Sequence, residues 1–138
     1  MSRPALIATL ESALYAADLS AAEHFYADIL GLEVIDRRPG RHVFFRVGDS
    51  VLLVFDPAAT AGGAPAGATL PVPGHGATGP GHYCFRVAAE ALDDWRAHLL
   101  AAGVGIEADF TWPGGARSIY VRDPAGNSVE FAPVELWF

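Results

Sequence analysis

The run Ser128-Val-Glu-Phe-Ala132 sets a carboxylate in the middle of an otherwise apolar, alternating segment, where an unpaired charge would be costly to bury. Two other short alternating runs open with groups of ligand chemistry, Glu11 in Glu11–Tyr15 and His82 in His82–Arg86. If each run is a strand, side chains two apart share a face. Glu11, Ala13 and Tyr15 then lie together, as do His82, Cys84 and Arg86, and likewise Ser128, Glu130 and Ala132. The intervening Leu14, Tyr83, Phe85, Val87, Val129 and Phe131 are apolar and belong against helices. Two carboxylates and an imidazole suit Zn, Mn, Fe, Co or Ni, and three protein groups leave positions open for water or substrate. An ion so held would act as a Lewis acid on a carbonyl or on two adjacent oxygens. Glu130 or Glu11 would be the candidate base. The plainer alternative is an open cleft with two solvated carboxylates and a hydrogen-bonded histidine.

Other residues offer pocket chemistry. Tyr15, Cys84 and Arg86 share faces with the ligand-type residues. His75, inside Pro73-Gly-His-Gly-Ala77, would serve as ligand or proton shuttle, or else lie exposed in its loop. Arg117, Ser118 and Tyr120 fall on one strand-like run, and an arginine there suits a carboxylate or phosphate, with a surface role as the alternative. Trp112, followed by Pro113-Gly-Gly115, walls a pocket or packs a hairpin. Cys84 is the only cysteine, so neither an intrachain disulfide nor a cysteine zinc cluster can form. Arg37, Arg38 and Arg41 make the one dense basic group, read as a solvated strand-and-turn edge.

An internal repeat supplies the elements that position these residues. Residues 11–56 and 82–132 can be superposed as sequences. Each begins with a strand and continues with an amphipathic helix, marked by Ala22, Phe25, Tyr26 and Ile29 in one half and Leu92, Trp95, Leu99 and Leu100 in the other. Asp18 or Ser20 caps the first helix, and Gly31 and Gly103 end the two. Three strands follow each helix: Glu33–Asp36, His42–Val47 and Val51–Phe55, then Gly105–Phe110, Ser118–Arg122 and Ser128–Pro133. Gly48-Asp-Ser-Val-Leu52 falls over Gly126-Asn-Ser-Val-Glu130, which sets Leu52 against Glu130. The expected fold is α+β, two tandem βαβββ modules forming a curved, partly open mixed sheet with helices on its convex face. It is read as a single domain over 1–138, with module 1 at about 5–57, a connecting loop at about 58–80 and module 2 at about 81–134. The loop, rich in Ala, Gly and Pro, is a linker or an ordered cover over a site.

The 138 residues are 51% hydrophobic, which argues against disorder. No run of about 18 apolar residues favours a membrane span, and the start does not resemble a signal peptide, so a soluble cytoplasmic protein is expected. The net charge of −7 disfavours nucleic acid and anionic membrane as partners.

The stretch Leu14-Tyr-Ala-Ala-Asp-Leu-Ser-Ala-Ala-Glu-His-Phe-Tyr26, then Leu30-Gly-Leu-Glu-Val34, resembles the opening of glyoxalase/bleomycin-resistance/dioxygenase proteins of the vicinal oxygen chelate superfamily. Tyr120-Val-Arg-Asp-Pro-Ala-Gly-Asn-Ser-Val-Glu-Phe131 resembles their ending. The resemblance implies one divalent metal held from the first and last strands of each module, at Glu11, Leu52, His82 and Glu130. Leu52 cannot ligate, and Glu11 departs from the more usual His or Gln. A lyase or isomerase on a small oxygenated molecule is the leading expectation. Ring-cleaving dioxygenase and glutathione-dependent glyoxalase chemistry fit the departures less well. The alternative class is a metal-free protein that sequesters an antibiotic or metabolite in an aromatic groove. The resemblance and the apolar Trp137-Phe138 end imply a homodimer.

Overall fold

The computed structural model describes residues 2–138. The first module comprises β1 (Glu11–Tyr15), α1 (Leu19–Glu23) running on into a wider helical segment (His24–Ile29), β2 (Glu33–Arg38), β3 (His42–Val47) and β4 (Ser50–Phe55). A short α2 (Pro57–Thr60) opens the connection to β5 (His82–Arg86), α3 (Leu92–Ala101), β6 (Ala108–Thr111), β7 (Arg117–Arg122) and β8 (Ser128–Ala132). Hydrogen bonding produces two four-stranded sheets, ordered β1-β4-β3-β2 and β5-β8-β7-β6. In each, the first strand runs parallel to the last and the remaining pairs are antiparallel. The α+β architecture of two open βαβββ modules is thus the one the repeat predicts.

Local chemistry explains the helices. Asp18 accepts from the Ala21 amide at 3.0 Å and starts α1. The helix then widens, with Leu30 N–H reaching back five residues to the Phe25 carbonyl at 3.0 Å. Gly31 and Gly103 leave their helices at φ of 80° and 81°, where a side chain would be strained. Leu14, Val43, Phe45, Leu52 and Val54 pack with Phe25 and Tyr26, and Ile119, Val121, Val129 and Phe131 pack with Leu92 and Leu99, in one continuous core. Leu100, expected on the apolar stripe, is half exposed. Short α2 escaped the sequence reading; Asp56 caps it by accepting from Ala58 N–H, with Pro57 in its first turn.

Register corrects one expectation. Glu11 pairs with Val51 and Ala13 with Leu53, whereas His82 pairs with Ser128 and Cys84 with Glu130. The structural counterpart of Glu130 is therefore Leu53, and Leu52 is fully buried on the helix side. The β3–β4 turn is a tight hairpin with Val47 opposite Ser50, while the β7–β8 loop runs from Arg122 to Ser128. Unequal turns shift the sequence alignment by one residue, and a one-residue slip exchanges the faces of a strand.

Side chains stitch the modules together. Tyr26 donates to Asp123 at 2.7 Å, and Asn127 donates to the Tyr15 carbonyl at 3.1 Å while accepting from Gly81 N–H at 2.7 Å. The connection between the modules folds as an ordered loop. Ala64 N–H bonds the Val72 carbonyl and His75 N–H the Thr60 carbonyl, each at 3.0 Å. Gly63 and Gly74 meet backbone to backbone, where a Cβ on Gly63 would stand 2.8 Å from the Gly74 nitrogen. Trp137 and Phe138 are 80% and 95% exposed, so they do not cap the core, and Leu6, Ile7 and Leu10 are likewise exposed. Among the described residues no helix is long and apolar enough to cross a membrane.

Candidate active site

Glu130 sits mid-strand on the open face of the second sheet, between Cys84 and Tyr120 in register, and is only 4% exposed. Its Oε2 accepts from Ser118 Oγ at 2.5 Å, and Ser118 in turn accepts from Trp112 Nε1 at 2.8 Å. Oε1 lies 3.3 Å from His82 Nε2. His82 Nδ1 stands 3.0 Å from the Ser128 carbonyl, which can only accept, so the proton belongs on Nδ1. The Nε2 lone pair and a carboxylate oxygen then face one another, an arrangement that a cation or a proton between them would relieve. Burial, reinforced by the Glu130 carboxylate, pushes the Cys84 thiol and the Tyr120 phenol each up to about 12. Both groups therefore remain protonated near neutrality. Trp112, Leu136 and Trp137 complete the wall of a cavity of about 440 Å³.

Glu11 occupies the position in the first sheet that His82 holds in the second. It is exposed and opens into a different cavity, about 620 Å³, with Tyr15, Phe44, Leu53, Phe55 and His75. The Tyr15 hydroxyl meets His75 Nδ1 at 2.7 Å, and the His75 ring packs edge-on against Phe55 with centroids 4.6 Å apart. The chain thus joins His82 to Glu130 and keeps Glu11 apart, because β1 and β5 belong to separate sheets. Among the described residues no three His, Cys, Asp or Glu side chains stand close enough to share an ion.

Two pocket candidates lie elsewhere. Arg117 is bound by Asp109 at 2.7 and 2.8 Å and by Asp93 of α3 at 2.6 Å. Alternation along β7 turns it away from Ser118, and these bonds, that from Asp109 foremost, raise its guanidinium pKa. Arg86 borders a third cavity, about 720 Å³, between β5 and the Val47–Ser50 turn. Trp112, Tyr120 and Cys84 line the Glu130 cavity, and Tyr15 and His75 the Glu11 cavity.

A cluster not singled out from the sequence lies beside the Glu11 cavity, which Arg41 and Phe44 line. His42, 6% exposed, bonds Asp36 through Nε2 and Arg41 through Nδ1, each at 2.7 Å, and stacks on Phe44 with centroids 3.9 Å apart. Alternation along His42-Val-Phe-Phe-Arg-Val47 carries the signal, since it sets His42 and Phe44 on the open face.

The paired βαβββ modules carry Glu11 on the open face of one sheet and His82 and Glu130 on that of the other. The family profile of the Glyoxalase/Bleomycin resistance protein/Dioxygenase superfamily matches residues 7–131, and the chain belongs to that superfamily. Among solved structures it is similar to the lactoylglutathione lyase from Agrobacterium tumefaciens, at 45% identity over 99% of this chain and 98% of that one, with a TM-score of 0.87. A glyoxalase/bleomycin resistance protein/dioxygenase from Nocardioides shares the fold at 23% identity, covering 96% of this chain and 85% of its own, with a TM-score of 0.70. A search of curated proteins returned no match.

Proposed function

We propose that the protein is a divalent-metal-dependent enzyme of lyase or isomerase type acting on a small oxygenated substrate in the cytoplasm, and that it works as a homodimer. The observation that carries this reading is the His82–Glu130 pair, with a nearly buried carboxylate held by Ser118 and an imidazole whose free nitrogen faces it at 3.3 Å. Similarity to a lactoylglutathione lyase at 45% identity supports the reaction class.

The residues present fit a metal. His82 and Glu130 supply one half of a ligand set, and Glu11, at the equivalent position of the first sheet, supplies a further carboxylate. Since Glu11 opens into a separate cavity within the chain, the third ligand would come from the Glu11 of a second copy. Leu53, at the fourth equivalent position, has no donor, which leaves room for water or substrate oxygen. When bound, the ion would polarise a substrate carbonyl as a Lewis acid. The protein's own groups do the rest. Ser118 fixes the Glu130 carboxylate, and the Ser128 carbonyl sets the His82 tautomer. The Cys84 thiol and Tyr120 phenol, both protonated, would flank the developing charge, and Trp112 and Trp137 supply an apolar wall.

The test is the metal content of protein purified without chelator or histidine tag, beside Glu11→Ala, His82→Ala and Glu130→Ala variants. Near-stoichiometric ion in the wild type, lost in all three, is expected. A wild type that stays empty after exposure to Zn, Mn, Ni, Co and anaerobic Fe(II) would sink the reading. The aromatic wall of the Glu11 cavity, Phe44, Phe55 and Tyr15, then favours a ligand-sequestering protein.

A further inference from the structure

We infer that a second pocket, between the β2–β3 turn and the loop 58–75, binds an oxyanion, so that the ligand of this protein is an apolar body carrying a carboxylate or a phosphate. A cavity of about 510 Å³ lies there, lined by Arg38, Arg41, Thr60 and His75 among others. Neither Arg38, the last residue of β2, nor Arg41, in the β2–β3 turn, meets a carboxylate among the described residues, whereas Arg37, Arg46, Arg117 and Arg122 do so at 2.6 to 3.2 Å; Arg86 on β5 also meets none. The neighbouring acids are engaged elsewhere: Asp36 by His42 Nε2, and Asp56 as the cap of α2.

Arg41 is also pre-set. Its Nη1 donates to His42 Nδ1, which must therefore accept, and the proton on His42 Nε2 is held by Asp36. Its guanidinium carbon stands 5.3 Å from the centre of the Phe55 ring. A guanidinium locked on one side by a buried imidazole and below by a ring presents its remaining N–H groups in fixed directions, the arrangement that recognises a planar oxyanion. The hydroxyl of Thr60, in the same wall, is buried without a partner.

Position gives the inference its consequence. Arg41, Val72, Pro73 and His75 border both this pocket and the Glu11 cavity. A ligand whose anionic end meets Arg38 and Arg41 would lay its apolar body on Phe44, Phe55 and Leu53 and extend towards Glu11. The substrate class assigned in this way rests on the reading of the Glu11 face as half of the active site, whereas anion binding itself needs neither metal nor turnover.

The experiment is titration calorimetry at fixed ionic strength with phenylphosphonate and with phenylacetate, on full-length protein kept in chelator. Saturable binding of at least one probe is expected, weakened about tenfold or more in Arg41→Gln through loss of charge-assisted bonds. A smaller loss is expected in Arg38→Gln, and none in Arg122→Gln, whose guanidinium is already paired with Glu107. The stronger probe identifies the oxyanion. Should Arg41→Gln not fold, Arg38→Gln decides alone, since its side chain is exposed. No saturable heat with either probe, or unchanged affinity in the folded Arg38 and Arg41 variants, overturns the inference. Because chelator is present throughout, failure of the metal reading would leave this result untouched.

Discussion

The phenol of Tyr26 donates to the carboxylate of Asp123 at 2.7 Å, joining residues 97 apart in sequence and fastening the first module's helix to the last turn of the second. Burial first, then the Asp123 charge, raises the phenol pKa far above its ordinary value, so the proton stays in place as the donor. Asp123 also accepts from Ala125 N–H and Asn127 N–H, at 3.0 and 2.8 Å. Tyr26→Phe should therefore lower stability by about 1–3 kcal/mol, towards the lower end because the other donors remain. Urea unfolding would read this directly, and an unchanged midpoint would refute the role given to the bond.

Ser118 holds the Glu130 carboxylate from behind, and Trp112 holds Ser118. If Glu130 is a ligand, Ser118→Ala should weaken metal binding by about 10–100-fold while leaving the ligands in place. Competition against a fluorescent chelator would measure it. Equal affinity in variant and wild type would show that the hydrogen bond serves the fold alone.

Asp109 joins Arg117 and Arg96, and bonding to Arg117 holds its carboxyl below the usual carboxylate range. A lowered folded-state pKa adds stability above the unfolded value, about 3.9, and that stability disappears as pH falls through the folded value. Asp109→Asn should thus cost about 1 kcal/mol at neutral pH, with some solvent screening of the network. The gap to wild type should close below about pH 4. A gap independent of pH would indicate a packing effect instead.

Leu6, Ile7 and Leu10 are 100%, 98% and 73% exposed immediately before Glu11, and Trp137 and Phe138 expose further apolar surface. Such surface suits a partner copy, and a metal shared between the two proposed half-sites would need one. Light scattering should find a dimer in the wild type and a monomer when Leu6, Ile7 and Leu10 are all replaced by Ser. The monomer should also lose metal. A monomeric wild type that still binds metal would refute the shared site.

Much of the architecture was legible from the chain. Gly31 and Gly103, each at the end of a helix and each followed by three strands, announce two copies of one module. Strand alternation correctly set Glu11, His82 and Glu130 on open faces, because that periodicity is a local property of the backbone. The alignment of Leu52 with Glu130 failed, because the number of residues in a turn, which sequence similarity alone did not reveal, sets the register of the strand after it. Arg117 misled for a related reason. Its face of β7 is turned to α3, where Asp93 meets it and Asp109 of the neighbouring β6 pairs with it, and strand alternation alone does not tell which face of a strand carries the site.

By itself, then, the sequence determined the elements, their order and the faces on which the chemistry lies, since helix caps, glycine turns and two-residue alternation act within a few residues. Only the tertiary structure decided which of those faces meet. It set His82 beside Glu130 and gave Glu11 to another cavity, because these placements depend on how separate sheets and loops pack across the whole chain.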